Sequence, residues 1–387
     1  MNNNILLLYL IKFSKWFMLF MPIIVIFFQD NGLEMRHIFT LKAINAITVV
    51  ILEIPSGYMA DVLGRKKTLV LGTILSFGGF IAYSIAYGFW GFAIAEFLIG
   101  VSMSFISGAD SAMLYDTLFF QKKADEYSKQ EGRITALGNF SEAAAGILGG
   151  LLAGVSLRLP FIAQAGVAFI GIPAALLLIE PEIHQKVKKT TMLAIAKTMK
   201  YVLVQNKMLR AYILFSSFAG MTSLTLAWFI QPFFTSIDIP LTWFGILWTS
   251  LNLSVALTAV FAYKLQSALP KTAILLMVAF FTGGGFILLG FSNGIWGIII
   301  LFLIYLVRGM GTPILKDFIN QNTASDIRAT VLSIRSFIIR IAFAVISPLL
   351  GWYTDHYNLS DALIMAGSIF TGGMLFAIFL YKKEKAS

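Results

Sequence analysis

Long apolar runs alternate with short polar ones along the whole chain. A helix crosses the hydrocarbon core of a bilayer with about 20 predominantly apolar residues. Twelve runs meet that requirement, at 7–28, 38–58, 68–87, 90–113, 134–155, 160–180, 210–234, 241–262, 272–290, 294–315, 329–352 and 360–381. The pattern predicts an all-α integral membrane protein, with these runs as spans one to twelve. The first run has no basic segment before it and no small-residue cleavage site after it, so it reads as a membrane helix and not a signal peptide.

The longest polar segment separates six spans from six. It divides the chain into residues 1–180, a linker at 181–209 and residues 210–387. Within the linker Met192, Ile195, Met199 and Val202 recur at helical spacing, with Lys197 and Lys200 elsewhere on the turn. Two readings fit: an amphipathic helix on the inner membrane surface, or a positively charged tether.

Composition narrows the function classes. The chain has 387 residues, 58% hydrophobic and 12% charged, against roughly 25% charged in soluble domains. It has no cysteine, and His37, His184 and His356 all fall near expected loops. A thiol nucleophile is excluded and a zinc-type cluster is not expected, so neither an enzyme nor a bound cofactor or metal is anticipated.

The net charge of +10 would suggest nucleic acid in a soluble protein. Here its placement points to loops instead. One set of loops holds Arg65, Lys66, Lys67, Lys122, Lys123, Lys129 and Arg133, the basic residues of the linker, then Lys264, Lys271, Lys316, Arg328 and the C-terminal lysines. The opposite set holds only Arg36 and Arg158. Basic residues mark cytoplasmic loops. Both termini are therefore expected on the cytoplasmic side of the cytoplasmic (inner) membrane, with lipid and not nucleic acid as the surroundings.

The two halves resemble each other. "GGFIAYSIAYGFWG" from Gly78 aligns with "GGFILLGFSNGIWG" from Gly284, at an offset of 206 residues. A parallel six-plus-six repeat is a transporter architecture, with the substrate held near the midplane.

Between spans two and three lies "GYMADVLGRKKTL", Gly57 to Leu69. It resembles the loop motif G-x-x-x-D-x-x-G-R-[KR] of the major facilitator superfamily, with matches at Gly57, Asp61, Gly64, Arg65 and Lys66. The physics of each position is consistent with the motif. Gly57 permits close helix packing, Asp61 can cap a turn or pair with a cation, and Gly64 permits a turn that a Cβ would strain. Arg65 can form a bidentate carboxylate pair. Lys66 and Lys67 can equally be positive-inside charge.

The resemblance implies two six-helix bundles that rock about a central site. It also implies a latch in which Arg65 pairs with an acid at the end of span four, Asp116 or Asp110, with Asp116 preferred. The chain departs from the family in three places. The second-half loop has Ser267, Pro270 and Lys271 where the motif has Asp, Gly and Arg. "EFLIG" puts Glu96 where span four often carries arginine. "AGILGG", Ala145 to Gly150, lacks the proline common in drug antiporters.

Ionisable residues inside a span cost about 2.5–3.5 kcal/mol each on insertion scales and are functional candidates by default. Glu96, Gly100, Met103, Ser107 and Asp110 share one face of span four. The two acids are roughly 21 Å apart along it. Glu142 lies in span five, and Glu53 one turn above the motif, where gating or packing is expected. Glu96, Glu142 and Asp110 are candidates for proton coupling, since burial raises a carboxylate pKa. For Glu96 and Glu142 the alternative is a permanent pair with Lys or Arg.

Lys12 is close enough to the inner surface to snorkel, while Lys15 is a candidate for substrate or carboxylate contact. The C-terminal spans hold Arg308, Arg335 and Arg340 and no acid before Asp317. Arg308 is a candidate for ligand contact or a gate pair. In span eleven Arg335 and Arg340 point about 140° apart. By depth Arg340 is expected to reach the cavity and Arg335 to act as a gate or anchor. Arg340, Arg308 and Lys15 together suggest a solute with an anionic group, since guanidinium binds such groups bidentately.

These features predict a monomeric secondary transporter that moves a small organic anion by proton-coupled alternating access. A proton-driven multidrug exporter of the same fold is the alternative.

Overall fold

The computed structural model describes residues 3–181, 197–292, 294–324 and 327–386. Met192 and Ile195 of the expected amphipathic stripe lie outside these residues. Val202 is buried within a single π-helical turn, Tyr201–Gln205.

Among the described residues there is no β-strand. Eleven helices are long and apolar enough to cross a membrane, and they follow spans two to twelve in order. Span two is Met35–Leu63, span three Arg65–Ile85, span four Gly88–Phe120, span five Tyr127–Ala153 and span six Leu159–Leu177. In the second half they are Lys207–Ser236, Leu241–Ala259, Lys271–Phe291, Ile295–Gln321, Arg328–His356 and Leu359–Ala386. Large apolar side chains such as Ile51, Phe97, Leu151, Phe280 and Phe379 are exposed on them. Hydrocarbon solvates such a surface, and water does not.

Span one differs from the single helix its hydropathy suggests. It is two helices, Asn4–Trp16 and Ile24–Asp30, flanking a non-helical stretch. Pro22 lies in that stretch; it has no amide hydrogen and disfavours helix at the residue before it. The break is sealed from within. Leu19 N donates to Gln164 Oε1 at 2.9 Å, and Gln164 is fully buried. The Leu19 carbonyl oxygen packs so close to Gly149 that a Cβ there would sit 1.8 Å from it.

The chain forms two compact units, Met1–Lys186 with Ile239–Thr249, and Val187–Asp238 with Ser250–Ser387. In the first unit spans two and four pack through one seam of small and polar residues. Gly100 faces Thr48, with 2.9 Å from an added Cβ to the threonine Cβ. Ser104 Oγ donates to Ser56 Oγ at 2.9 Å, and Gly108 faces Ser56. Small residues let helices approach closely where no hydrophobic effect drives them together. In the second unit glycines play the same part between spans nine and twelve, where Gly367 lies against the Gly283 carbonyl. Span nine carries a π-helical turn at Ala279–Gly283.

Candidate functional site

The loop motif of the first unit builds a compact polar knot. Gly64 adopts φ +95° between spans two and three, a conformation that disfavours other residues. That turn aims Arg65 at span four. Its guanidinium forms an ion pair with Asp116 and donates from Nη1 to Ala112 O at 2.6 Å.

Glu180, three residues past span six, closes the knot from the other side. Its two carboxylate oxygens accept from the backbone amides of Arg65 at 2.8 Å and Lys66 at 2.6 Å. A carboxylate at this position satisfies two orphan amides and the positive end of the helix dipole. Asp61 and Glu53 are exposed. A Cβ on Gly57 would meet nothing within 4 Å; the close approach here lies at Gly108.

Asp110 lies six residues, about 1.7 turns, before Asp116 on span four. Lys12 Nζ and Lys15 Nζ approach its Oδ2 at 3.6 and 3.9 Å, and Ser111 N donates to its Oδ1 at 2.7 Å. Ser111 Oγ donates to Glu131 Oε1 at 3.1 Å. Lys12, Asp110, Ser111 and Glu131, with Leu8 and Ile134, line a gap of about 240 Å³ that includes space open to the surroundings. One carboxylate thus faces two ammonium groups, with a second carboxylate close by.

Glu96 is placed differently. It is buried near the opposite end of span four, where its Oε1 accepts from Lys42 Nζ and Tyr83 Oη. Asn45 Nδ2 donates to the Glu96 backbone oxygen at 3.0 Å. Lys42, Asn45 and Thr48 recur every three residues on span two, so the seam that seats Gly100 also delivers the ammonium group. Glu142 is half-buried in span five.

In the second unit Arg335 is buried. Its guanidinium donates to Ser216 Oγ through Nε and approaches Ser216 O from Nη2 at 3.5 Å. Arg308 lies over the Tyr305 ring, 5.2 Å from its centroid. Both arginines line one cavity of about 300 Å³, whereas Arg340 is half-buried and does not line it. Among the described residues no carboxylate pairs with Arg308 or Arg335.

The sequence reading missed Glu180, Lys42, Tyr83 and Ser216. An intramembrane lysine two spans from an intramembrane glutamate was the available signal for the Lys42 pair. Nothing in the sequence pattern marks Glu180 or Ser216.

A sequence profile of the Major Facilitator Superfamily matches residues 5–347. The quinolone resistance protein NorA of Staphylococcus aureus is 22% identical over the whole chain and 98% of its own length. Among solved structures, the nucleoside transporter NupG superposes with TM-score 0.81 at 15% identity, covering 99% of each chain. A D-xylose-proton symporter superposes with TM-score 0.74 at 13% identity, covering 98% of this chain and 96% of its own.

Proposed function

Since this chain belongs to the major facilitator superfamily and is an integral membrane transporter, we propose that it moves a small organic solute with an anionic group by proton-coupled alternating access. Two six-helix bundles, residues 1–180 and 210–387, joined by the 181–209 linker, rock about a site at mid-membrane depth. The protein sits in the cytoplasmic membrane with both termini inside and works as a monomer.

The observation that carries this reading is the distribution of charge within the spans. The second unit holds guanidinium groups at Arg308 and Arg335 with no carboxylate partner among the described residues. Uncompensated cations inside a membrane-spanning bundle are costly, and an anionic solute offsets that cost. Arg340 and Lys15 add positive charge for the same solute.

Asp110 is the foremost of the proton-coupling candidates. It faces Lys12 and Lys15 and lines a small cavity, which puts the carboxylate where it can exchange partners with a solute. Glu142 is kept as a second candidate. Glu96, held by Lys42 and Tyr83, couples only in a state that releases that pair. The Arg65–Asp116 pair, with Gly57, Asp61, Gly64, Lys66 and Glu53 around it, latches the cytoplasmic gate.

Full-length similarity to a quinolone resistance protein supports a second reading, a proton-driven exporter of drugs. One experiment separates the two. Proteoliposomes with an imposed pH gradient are screened for uptake and efflux of anionic metabolites, metal-chelating carboxylates and drugs. Gradient-driven movement confined to anions supports the first reading. Gradient-driven movement of cationic drugs, with none of anions, replaces it by the second.

A further inference from the structure

We propose that the cavity between Arg308 and Arg335 in the second unit is an oxyanion subsite, which seats a carboxylate, phosphate or sulfonate group by two guanidinium groups. The assignment rests on the anionic-solute reading above and names the place and chemistry of the contact.

The cavity is built from four spans. Ser223 comes from span seven, Thr282 from span nine, Arg308 and Thr312 from span ten, and Arg335 from span eleven. Its polar inventory is asymmetric. Ser223 Oγ donates to Ala219 O at 3.3 Å, Thr282 Oγ1 to Val278 O at 2.6 Å and Thr312 Oγ1 to Arg308 O at 2.9 Å. All three hydroxyl protons are therefore committed to backbone carbonyls of their own helices. What remains toward the cavity is hydroxyl lone pairs and guanidinium N–H groups.

A guanidinium has five N–H donors. Arg335 directs its Nε and an Nη2 proton at Ser216, which fixes the plane of the fork and leaves donors over. Ser216 is itself fully buried. Arg308 is held against the Tyr305 ring, an arrangement that satisfies the face of the guanidinium and not its edge. Two rigidly held cations with spare edge donors, facing one small space, fit a planar or tetrahedral oxyanion. A partly protonated phosphate would in addition find hydroxyl lone pairs for its own proton.

Size limits the occupant. The gap of about 300 Å³ between the lining residues includes space open to the surroundings, so the enclosed part is much smaller. It admits a compact head group and leaves the rest of the solute outside. The π-helical turn Ala279–Gly283 sets Thr282 beside the cavity; such turns recur where a helix wall is reshaped for a site. Gly311 supplies room on the opposite wall, since a Cβ there would meet Val278 at 3.0 Å.

The test uses the full chain in nanodiscs of zwitterionic lipid. Thermal unfolding and tryptophan fluorescence are titrated with inorganic phosphate, sulfate and acetate, with choline as a cationic control. Oxyanions are expected to raise the unfolding temperature and choline to leave it unchanged. Arg308→Gln and Arg335→Gln are each expected to weaken the oxyanion response by about 10- to 100-fold in apparent affinity.

Arg308→Gln leaves the Ser216 contacts of Arg335 intact, so the test survives if Arg335→Gln fails to fold. In nanodiscs containing anionic lipid, a response that vanishes supports the subsite and assigns a lipid phosphate as its occupant; a response that persists assigns the soluble anion. No oxyanion effect on the wild type, or an equal effect on wild type and Arg308→Gln, overturns the subsite. Solute transport measured in parallel keeps the two ideas apart. Organic-anion transport with an unchanged KM in Arg308→Gln sinks the subsite alone. Oxyanion binding without transport of any organic anion sinks the transport reading alone.

Discussion

Lys42 and Glu96 show how one residue is read differently by depth and by partner. The sequence puts an acid where the family often has an arginine, and the fold answers with a lysine on the neighbouring helix. Both side chains are buried. Removing one member of such a pair strands the other, at about 3–5 kcal/mol. Lys42→Met is therefore expected to lower the unfolding temperature sharply, whereas Lys42→Met with Glu96→Gln recovers much of the loss; thermal unfolding of the single and double variants in detergent measures both. Arg158 is a second such residue. In the sequence it is merely one of two basic groups in the set of loops poor in positive charge. In the structure its Nη1 donates to the carbonyls of Ser84 at 2.9 Å and Ala86 at 3.0 Å, and Nη2 donates to Asn31 Oδ1 at 2.9 Å. It caps the end of span three and ties it to the end of span one. Arg335 also needed the fold. A helical wheel separates it from Arg340 but does not say which neighbour each one faces, so Ser216 and Arg308 came into view only with the packing.

Helices two to twelve were legible because twenty apolar residues in a row leave few alternatives in a membrane. The break in span one was not legible from hydropathy, since Phe17 to Ile23 is as apolar as its flanks. What permits it is remote in sequence: Gln164 satisfies the freed Leu19 amide, and Gly149 makes room for the Leu19 carbonyl. Gln164→Leu leaves a buried amide unsatisfied and is expected to destabilise by about 1–3 kcal/mol, read as a lower unfolding temperature. Gly149→Ala places a Cβ against backbone and is expected to do more damage, visible as loss of monodisperse protein on size exclusion. If both variants unfold at the wild-type temperature, the break is not held in the way described. At the start of span three, Glu180→Gln keeps one acceptor oxygen but sets an NH2 donor against the other backbone amide and loses the charge, so a partial loss is expected there, while Glu180→Ala removes the whole cap at about 0.5–2 kcal/mol.

Across the whole molecule the two halves keep the repeat but differ in charge. In the first unit the loop cation, Arg65, meets an acid, Asp116. In the second, Lys271 Nζ meets the neutral Gln321 Oε1 at 3.1 Å, and Asp317 accepts from Gln266 and Gln321 at 2.6 Å each. Among the described residues the loop ion pair therefore sits in the first half, where the motif is complete, and the second half has a neutral contact in its place. If Arg65 and Asp116 act as one gate, Arg65→Gln, Asp116→Asn and the double variant should slow transport to a similar extent, because coupled residues are not additive; initial rates in proteoliposomes check this. The central claim is that solute and proton move together through a protein whose Asp110 faces Lys12 and Lys15. It is tested most directly by following lumenal pH with an entrapped dye while a confirmed anionic solute is added to lightly buffered proteoliposomes. The account predicts a solute-dependent pH change in the wild type that Asp110→Asn abolishes. Solute movement with no accompanying pH change in the wild type, and with a rate indifferent to an imposed pH gradient, would contradict it.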